Sequence, residues 1–447
     1  YNSSNGMVLM PEKSADIAIL LNHQLVKYDD QNMLVPIHDI YLKHFRQIHK
    51  VSTRTDNPLE NLQNTLMCTD KLSINYEKYL QVKELRCAEK FYSVNYILEG
   101  IYESPEKTKY RRLWGDELYY LMYFEYAYSA INCNRHTLGY DCLKEIYDAI
   151  QGTSFNKLMI LNLEVIFELI NSYYQDGKYE NCRTLFKTFE KVIDSLIKKG
   201  IVNSNKMDYL FYVLCTNYMI LIDSEQKKDG VLEDAEERKK FLREHYFHHY
   251  IDFLLQFAHT IYISNWELAC KWINEAYESI QILPSLSMKQ KHKAYFCYFL
   301  MQFINSKDEN FPILHLKEEM DQMKSEYYSS YRHKNFIYCA ILYIIDSVEE
   351  ADALLFKDIS NSRKLRTKMR GYYYQLLALH YLKHNSFEMA KKYLIKSRQV
   401  FDPLESYVSI IDHNLALLEN KNIEFKYAIC TSTIFDYNTF YIDSRME

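Results

Sequence analysis

Glycine and proline are scarce in this chain of 447 residues, which contains only 9 of the first and 7 of the second. Phosphate-cradling loops, tight β-hairpins and strained catalytic elbows all place glycine at positive φ. The shortage therefore argues against a nucleotide-binding or α/β catalytic domain within this chain and for a mostly helical one. No charge dominates either. With 54 Lys and Arg against 59 Asp and Glu, the formal net charge is −5. Such a balance exerts no global pull toward phosphate backbones or anionic lipid, so nucleic acid is not an expected partner. The longest nearly apolar run, Tyr212 to Ile222, is interrupted by Thr216 and Asn217. It falls well short of the roughly 20 residues a membrane span needs, and a soluble chain without a membrane partner is expected. No basic-then-apolar leader precedes the folded pattern, and the first residue is Tyr1 rather than Met, which reads as a fragment or a trimmed chain.

The ten cysteines include no C-x-x-C pair and no framework of short even spacings. They read as small buried apolar residues in a reducing compartment, which places the chain in the cytoplasm. Tyrosine, by contrast, is abundant at 42 residues. An AT-rich gene accounts for most of that enrichment, together with Asn, Ile and Lys. The rings also supply amphipathic contact area of the kind enriched at protein interfaces.

Residues 1–50 differ from the rest. Ser14 is placed to cap a helix carrying Ile17, Leu20, Leu21 and Leu25. The polar turn Asp29-Asp30-Gln31-Asn32 then separates two extended segments, the second being Met33-Leu34-Val35-Pro36-Ile37. After His38, Asp39 is placed to cap a further helix with Ile40, Tyr41, Phe45 and Ile48 on one face. Helix, strand, turn, strand, helix is the order of the back half of a winged-helix domain. Residues 20–47 resemble the end of the winged-helix subdomain in the STAND class of signal-transducing ATPases, which includes NLR-type immune receptors. In that class a strand ends in a Met-His-Asp signature, which Ile37-His38-Asp39 resembles. The resemblance implies that His38 contacts the phosphate of bound ADP, that Asp39 caps the helix behind it, and that the ADP state is inactive. This chain has no Walker motif. ADP or ATP would be held only by an NTPase domain upstream, and no cofactor is expected within these residues. The other reading of His38 is a surface histidine before a helix in an unrelated wing.

From residue 56 onward helical patterns follow one another and repeat loosely. Leu169-Ile170-Asn171-Ser172-Tyr173-Tyr174-Gln175-Asp176-Gly177-Lys178-Tyr179-Glu180-Asn181-Cys182, followed by Phe186 and Phe189, resembles a tetratricopeptide (TPR) unit. An aromatic at the start of the second helix plugs the pair, and a small residue three positions later lets the two helices approach. A second copy runs from Gly371 to Pro403, with Leu377, Ala378, Tyr381, Phe387, Ala390, Leu394 and Ser397 in the corresponding places. Partial copies carry Trp266, Ala269, Ile273 and Ala276, and Tyr140, Cys142, Ile146 and Ala149. The plugs at 140, 179, 266 and 387 stand at loose multiples of about 40 residues, longer than the 34 of a tetratricopeptide unit.

The expected fold is all-α, a TPR-like helical-hairpin superhelix (a solenoid) preceded by a partial winged-helix module. Its divisions are the module at 1–50, a connecting helical region at 51–114, the superhelix at 115–420 and a cap or tail at 421–447. In TPR arrays the first helix of each pair lines a groove. Carried onto this chain, that implies a ligand-binding groove of Phe167, Asn171, Tyr174 and Gln175, continued by Tyr372, Gln375 and Lys383. An Asn at the place of Asn171 offers both a donor and an acceptor to a ligand backbone.

Arg363, Lys364, Arg366, Lys368 and Arg370 form a basic patch at a helix start, where the macrodipole disfavours cations. It reads either as a site for an acidic partner or phosphate, or as a solvated helix face. Lys109, Arg111 and Arg112 form a smaller one. The mixed-charge stretch from Asp223 to Glu244 reads as a solvated loop leading into an exposed helix, or as a partner-binding lid. His245, His248 and His249 have no acidic residue within their motif and sit among Tyr246, Phe247 and Tyr250, so neither a metal site nor a catalytic residue is assigned.

The resemblance implies the regulatory half of a STAND protein that senses a protein or peptide trigger, of phage or pathogen origin in the bacterial antiviral members. Trigger binding would then release an ADP-locked state and permit oligomerisation. Two alternatives are a TPR peptide-sensing transcriptional regulator, whose winged module touches DNA, and a constitutive TPR scaffold.

Overall fold

The computed structural model describes residues 26–28 and 34–36 and, apart from short breaks, residues 76–419. The Ile37-His38-Asp39 signature, residues 51–75, Arg363, Lys364 and Arg366 of the basic patch, and the tail at 421–447 lie outside the described residues. The chain divides into two compact units, residues 1–119 and 120–447. Apart from one small hairpin, the described secondary structure is helical.

In the first unit, β1 (Val26–Tyr28) and β2 (Leu34–Pro36) pair antiparallel with Val26 opposite Pro36, Lys27 opposite Val35 and Tyr28 opposite Leu34. The two extended segments expected on either side of Asp29–Asn32 are thus partners. Helices α1 (Tyr76–Cys87) and α2 (Phe91–Tyr102) pack together. In α2 the apolar residues Val94, Ile97, Leu98 and Ile101 recur at helical spacing and are fully buried, which fixes the face it turns inward. Helix α3 (Lys107–Asn132), whose residues from 120 onward belong to the second unit, is broken at Gly115, whose φ of 77° and ψ of 161° no helix can hold. The Tyr102 hydroxyl donates to the carbonyl of Tyr119 at 2.8 Å.

The second unit is a succession of helices: α4 (His136–Ile150), α5 (Asn156–Gln175), α6 (Tyr179–Lys198), α7 (Leu210–Glu225), α8 (Val231–His245), α9 (Phe247–Ile261), α10 (Trp266–Ile282), α11 (Met288–Asn305), α12 (Asn310–Glu326), α13 (Val348–Leu354), α14 (Thr367–Lys383), α15 (Phe387–Phe401) and α16 (Glu405–Glu419). Residues 338–343 form a further helical stretch, and α13 continues as a π-helical turn, Leu355–Ile359. Neighbours pair as hairpins: α5 with α6, α7 with α8, α9 with α10, α11 with α12 and α14 with α15. The first helices also pack on one another in turn, α5 on α7, α7 on α9 and α9 on α11.

The sequences of the two helices in a hairpin differ accordingly. In α6 the buried residues Tyr179, Cys182, Leu185, Phe189, Ile193 and Leu196 form one stripe, and Lys and Glu fill the other face. That stripe is what an amphipathic helix covered on one side requires, and each large side chain buried there contributes about 1.5–3 kcal/mol. In α5, 15 of 20 residues are buried, because α4, α6 and α7 cover it from several directions. Such a helix is apolar nearly all round.

The expected small-residue rule holds better than the aromatic one. Cys182, Ala269 and Ala390 are fully buried, and the Cys182 thiol reaches the carbonyl of Ile170 across the hairpin at 3.5 Å. Of the four plugs, Tyr179 is buried, Trp266 half-buried and Phe387 43% exposed. Tyr140 does not start a helix at all, since it lies inside α4, whose first residue is His136. The close approach there is set by Gly139 instead, where an added Cβ would stand 2.6 Å from the carbonyl oxygen of Ala127 on α3.

The hairpin turns share one device. Gly177, Asp346 and Asn385 are all left-handed, with φ of 70°, 63° and 58°. After each, the next amide bonds back over the helix end, Lys178 to the carbonyl of Tyr173 at 2.8 Å, Ser347 to Leu342 at 2.9 Å and Ser386 to Tyr381 at 2.8 Å. This is the Schellman closure, which satisfies the last carbonyls of a helix while reversing the chain. It also marks a hairpin of residues 338–359 that has Val348 where the others have an aromatic, and Ala351, fully buried, as its small residue. No helix of the described residues is long and apolar enough to cross a membrane.

Candidate binding surface

Six of the seven residues expected to line a groove are buried. Phe167 is fully buried against Phe211 and Tyr218, with ring centroids 5.7 and 6.0 Å away. Asn171, Tyr174, Gln175, Tyr372 and Gln375 are all buried too. For α5 the cause is the packing of α4, α6 and α7 around it, which covers the face that an open groove would expose. The hydroxyls of Tyr174 and Tyr179 both donate to Glu225 on α7, the former at 2.5 Å, so this cluster locks one hairpin to the next. Asn171 Oδ1 and Gln175 Nε2 are buried without a hydrogen-bond partner among the described residues. Lys383 pairs with Asp346.

Of the basic patch, Arg370 is exposed, and Lys368 lies on α14 with its side chain outside the description. Arg111 of the smaller patch pairs with Asp116 at 2.7 Å, and its hydrogen bond holds the Asp116 carboxyl below the ordinary carboxylate value. The mixed-charge stretch is mostly helix α8, which buries only Val231, Ala235 and Leu242. His245 rests on Phe241 with centroids 4.7 Å apart, and His249 is buried in α9.

Elsewhere, half-buried aromatic rings form two rows. On α10, α11 and α12, Tyr277 stacks on Tyr298 at 3.8 Å and 11°, Tyr298 meets Phe299 edge-on at 5.6 Å, and Phe299 stacks on His315 at 4.6 Å. On α14 and α15, Tyr381 stacks on Tyr393 at 5.3 Å and 5°, and Tyr393 meets Tyr374 at 6.1 Å. Lys396 lies over the rings of Tyr393 and Tyr374 at 4.8 and 5.8 Å. Burial, then neighbouring phenols, raises the pKa of Tyr277 and of Tyr373 beside the second row, so these hydroxyls stay protonated. Rigid rings with a polar tip present large contact area at small entropic cost, which is why Tyr is over-represented at binding surfaces. The abundance of tyrosine is plain in the sequence, but its arrangement in rows is not. A signal existed only for Tyr277 and Tyr393, which fall on the less buried faces of the amphipathic helices α10 and α15; α11 and α14, which carry the other rings, have no clear apolar stripe.

No protein-family model matches the chain, and comparison with curated proteins finds no significant match.

Proposed function

We propose that this chain is the trigger-sensing part of a STAND-type NTPase, in which the hairpins continue as a TPR-like superhelix and recognise a protein or peptide. The observation that carries the reading is the stack itself. Consecutive hairpins whose first helices pack on one another grow by repetition, and such arrays serve as extended recognition surfaces. The tyrosine rows supply the anchors, and the Lys396 ammonium over two rings adds a cation at the edge of one row. In this reading His38 reads the phosphate of ADP held by an upstream NTPase domain, and trigger binding on the array releases that state and permits oligomerisation. The reaction on nucleotide belongs to that upstream domain, and these residues sense and transmit.

Translating the gene upstream of residue 1 tests the switch. A G-x-x-x-x-G-K-[ST] loop between a strand and a helix is the expected result. An initiator Met close upstream, with no such loop, would contradict the switch and reduce the function to that of a constitutive scaffold.

A further inference from the structure

At one hairpin junction three side chains of metal-ligand type converge. Asp352 stands on α13, and His380 and His384 stand one turn apart on α14. Their ligand atoms all lie within 4.8 Å of one another. His380 Nδ1 is 2.7 Å from Asp352 Oδ1, and His384 Nε2 is 2.9 Å from Asp352 Oδ2. The two imidazoles are neighbours, with centroids 4.5 Å apart. The hydroxyl of Tyr343 donates to Asp352 Oδ1 at 2.6 Å and lies 3.4 Å from His380 Nδ1. Phe356 meets the His380 ring edge-on at 5.0 Å. The side chain of His380 is 14% exposed, that of Asp352 25% and that of His384 48%, so the cluster runs from a walled side to open solvent.

We propose that Asp352, His380 and His384 bind one zinc-class dication, which bolts the hairpin of residues 338–359 to the hairpin of α14 and α15. Two imidazoles on consecutive turns and a carboxylate from another element form the three-ligand set that zinc sites with an open fourth position use. Such borderline nitrogen and oxygen donors favour zinc and its transition-metal neighbours over magnesium or calcium. Zinc–ligand bonds of about 2.0–2.2 Å in a tetrahedron require donor separations of about 3.3 Å, so the present spacings need to open by about half an ångström. Rotation of the exposed His384 opens its own spacing to Asp352, and a small shift of the Asp352 carboxylate opens the spacing to His380. Tyr343 is a positioning residue, because its hydroxyl orients the carboxylate as outer-shell partners of metal ligands do. Burial raises its pKa first, and the hydrogen bond to Asp352 raises it further, so it remains a donor. The neighbouring cation Lys383 is engaged by Asp346 and does not oppose a metal.

The charge pattern of the array supports the same conclusion. Counted from the left-handed turn residue, Arg183 on α6 occupies the place of Asp352 on α13. Arg183 Nη2 reaches across its junction to Asp223 Oδ1 on α7 at 2.5 Å. One junction is therefore closed by a cation meeting an anion, whereas in the other an anion meets two imidazoles. A dication between them supplies the positive charge that Arg183 supplies at the first.

The test uses the whole chain, freed of metal and titrated with cobalt(II) followed by zinc(II). The expected result is one equivalent bound, with the visible bands of a cobalt site built on nitrogen and oxygen and without sulfur-to-metal charge transfer. Zinc should displace the cobalt and raise the melting temperature. His384→Gln, at an exposed position that leaves the core intact, should weaken binding by at least about 100-fold and abolish the melting shift; losing an outer-shell partner alone costs about 10–100-fold. His380→Gln should do the same. The proposal is overturned if the wild-type chain binds no cobalt, if the bands are those of a thiolate site, or if His384→Gln binds as the wild type does. A cluster that is only a hydrogen-bond network would show melting insensitive to zinc in both proteins.

Discussion

Glu225 on α7 accepts hydrogen bonds from two phenols of the preceding hairpin, Tyr174 and Tyr179, at a site where only 8% of the residue is exposed. Removing an acceptor from buried donors costs their desolvation, so Glu225→Ala should destabilise the second unit by about 1–3 kcal/mol in urea unfolding. Phe for both tyrosines together with Glu225→Leu should recover part of that loss, because the polar groups leave together.

Asp352 offers a second check through pH. Burial works against its charge, but the hydrogen bonds from Tyr343, His384 and His380 outweigh it and hold the carboxyl below its ordinary value of 3.8. A carboxyl lowered in the folded state adds stability that is fully present above the ordinary value and is lost as pH falls through the folded one. Below about pH 4, metal-free wild type should therefore lose stability more steeply than Asp352→Asn, as read by denaturant midpoints across acid buffers. Equal slopes would show that Asp352 gains nothing from its neighbours.

At the scale of elements, close approach is the property that a single methyl group tests. Gly139 on α4 has an ordinary φ, so alanine is conformationally acceptable there and gains up to about 1 kcal/mol of helix propensity. Its Cβ would nevertheless crowd the carbonyl of Ala127 and the side chain of Ile131. We expect the clash to win and Gly139→Ala to lower stability by about 1–3 kcal/mol, the usual cost of overpacking. Gly152 is the control at a different kind of position: nothing lies within 4 Å, but φ is 71°. Alanine there should cost about 1 kcal/mol through backbone strain alone.

The same scale explains what could be read beforehand. The α5–α6 and α14–α15 hairpins were legible because their turns, Gly177 and Asn385, stand two residues before an aromatic, with a small residue three further on. The hairpin of residues 338–359 escaped notice because Val348 replaces the aromatic, although Ala351 keeps the small position. Tyr140 misled because an aromatic near a small residue is common inside any amphipathic helix. The burial of Phe167, Asn171, Tyr174 and Gln175 was not visible beforehand for a different reason. Burial of α5 on several sides comes from α4 and α7, and a pattern read within one hairpin contains no information about its neighbours. His380-Tyr381-Leu382-Lys383-His384 shows its one-turn spacing openly in the sequence, but its third partner is Asp352, delivered by an intervening turn and helix start.

At the scale of the second unit, the hairpins repeat while their locks vary. Tyr174 and Tyr179 with Glu225, Arg183 with Asp223, and Asp352 with two histidines each join one hairpin to the next by different chemistry. An array locked at its junctions holds its outward rings in fixed register, which is what a pre-organised binding surface needs. In the proposed function the tyrosine rows bind a protein or peptide. The most direct test selects ligands from a displayed library of phage-encoded proteins and measures their affinity for the wild-type chain and for Tyr298→Ala and Tyr374→Ala. At least one selected ligand should bind at least about 10-fold more weakly to one of the variants, a loss of about 1.4 kcal/mol, with the melting temperature unchanged. Ligands that bind the wild type and both variants equally would contradict the claim.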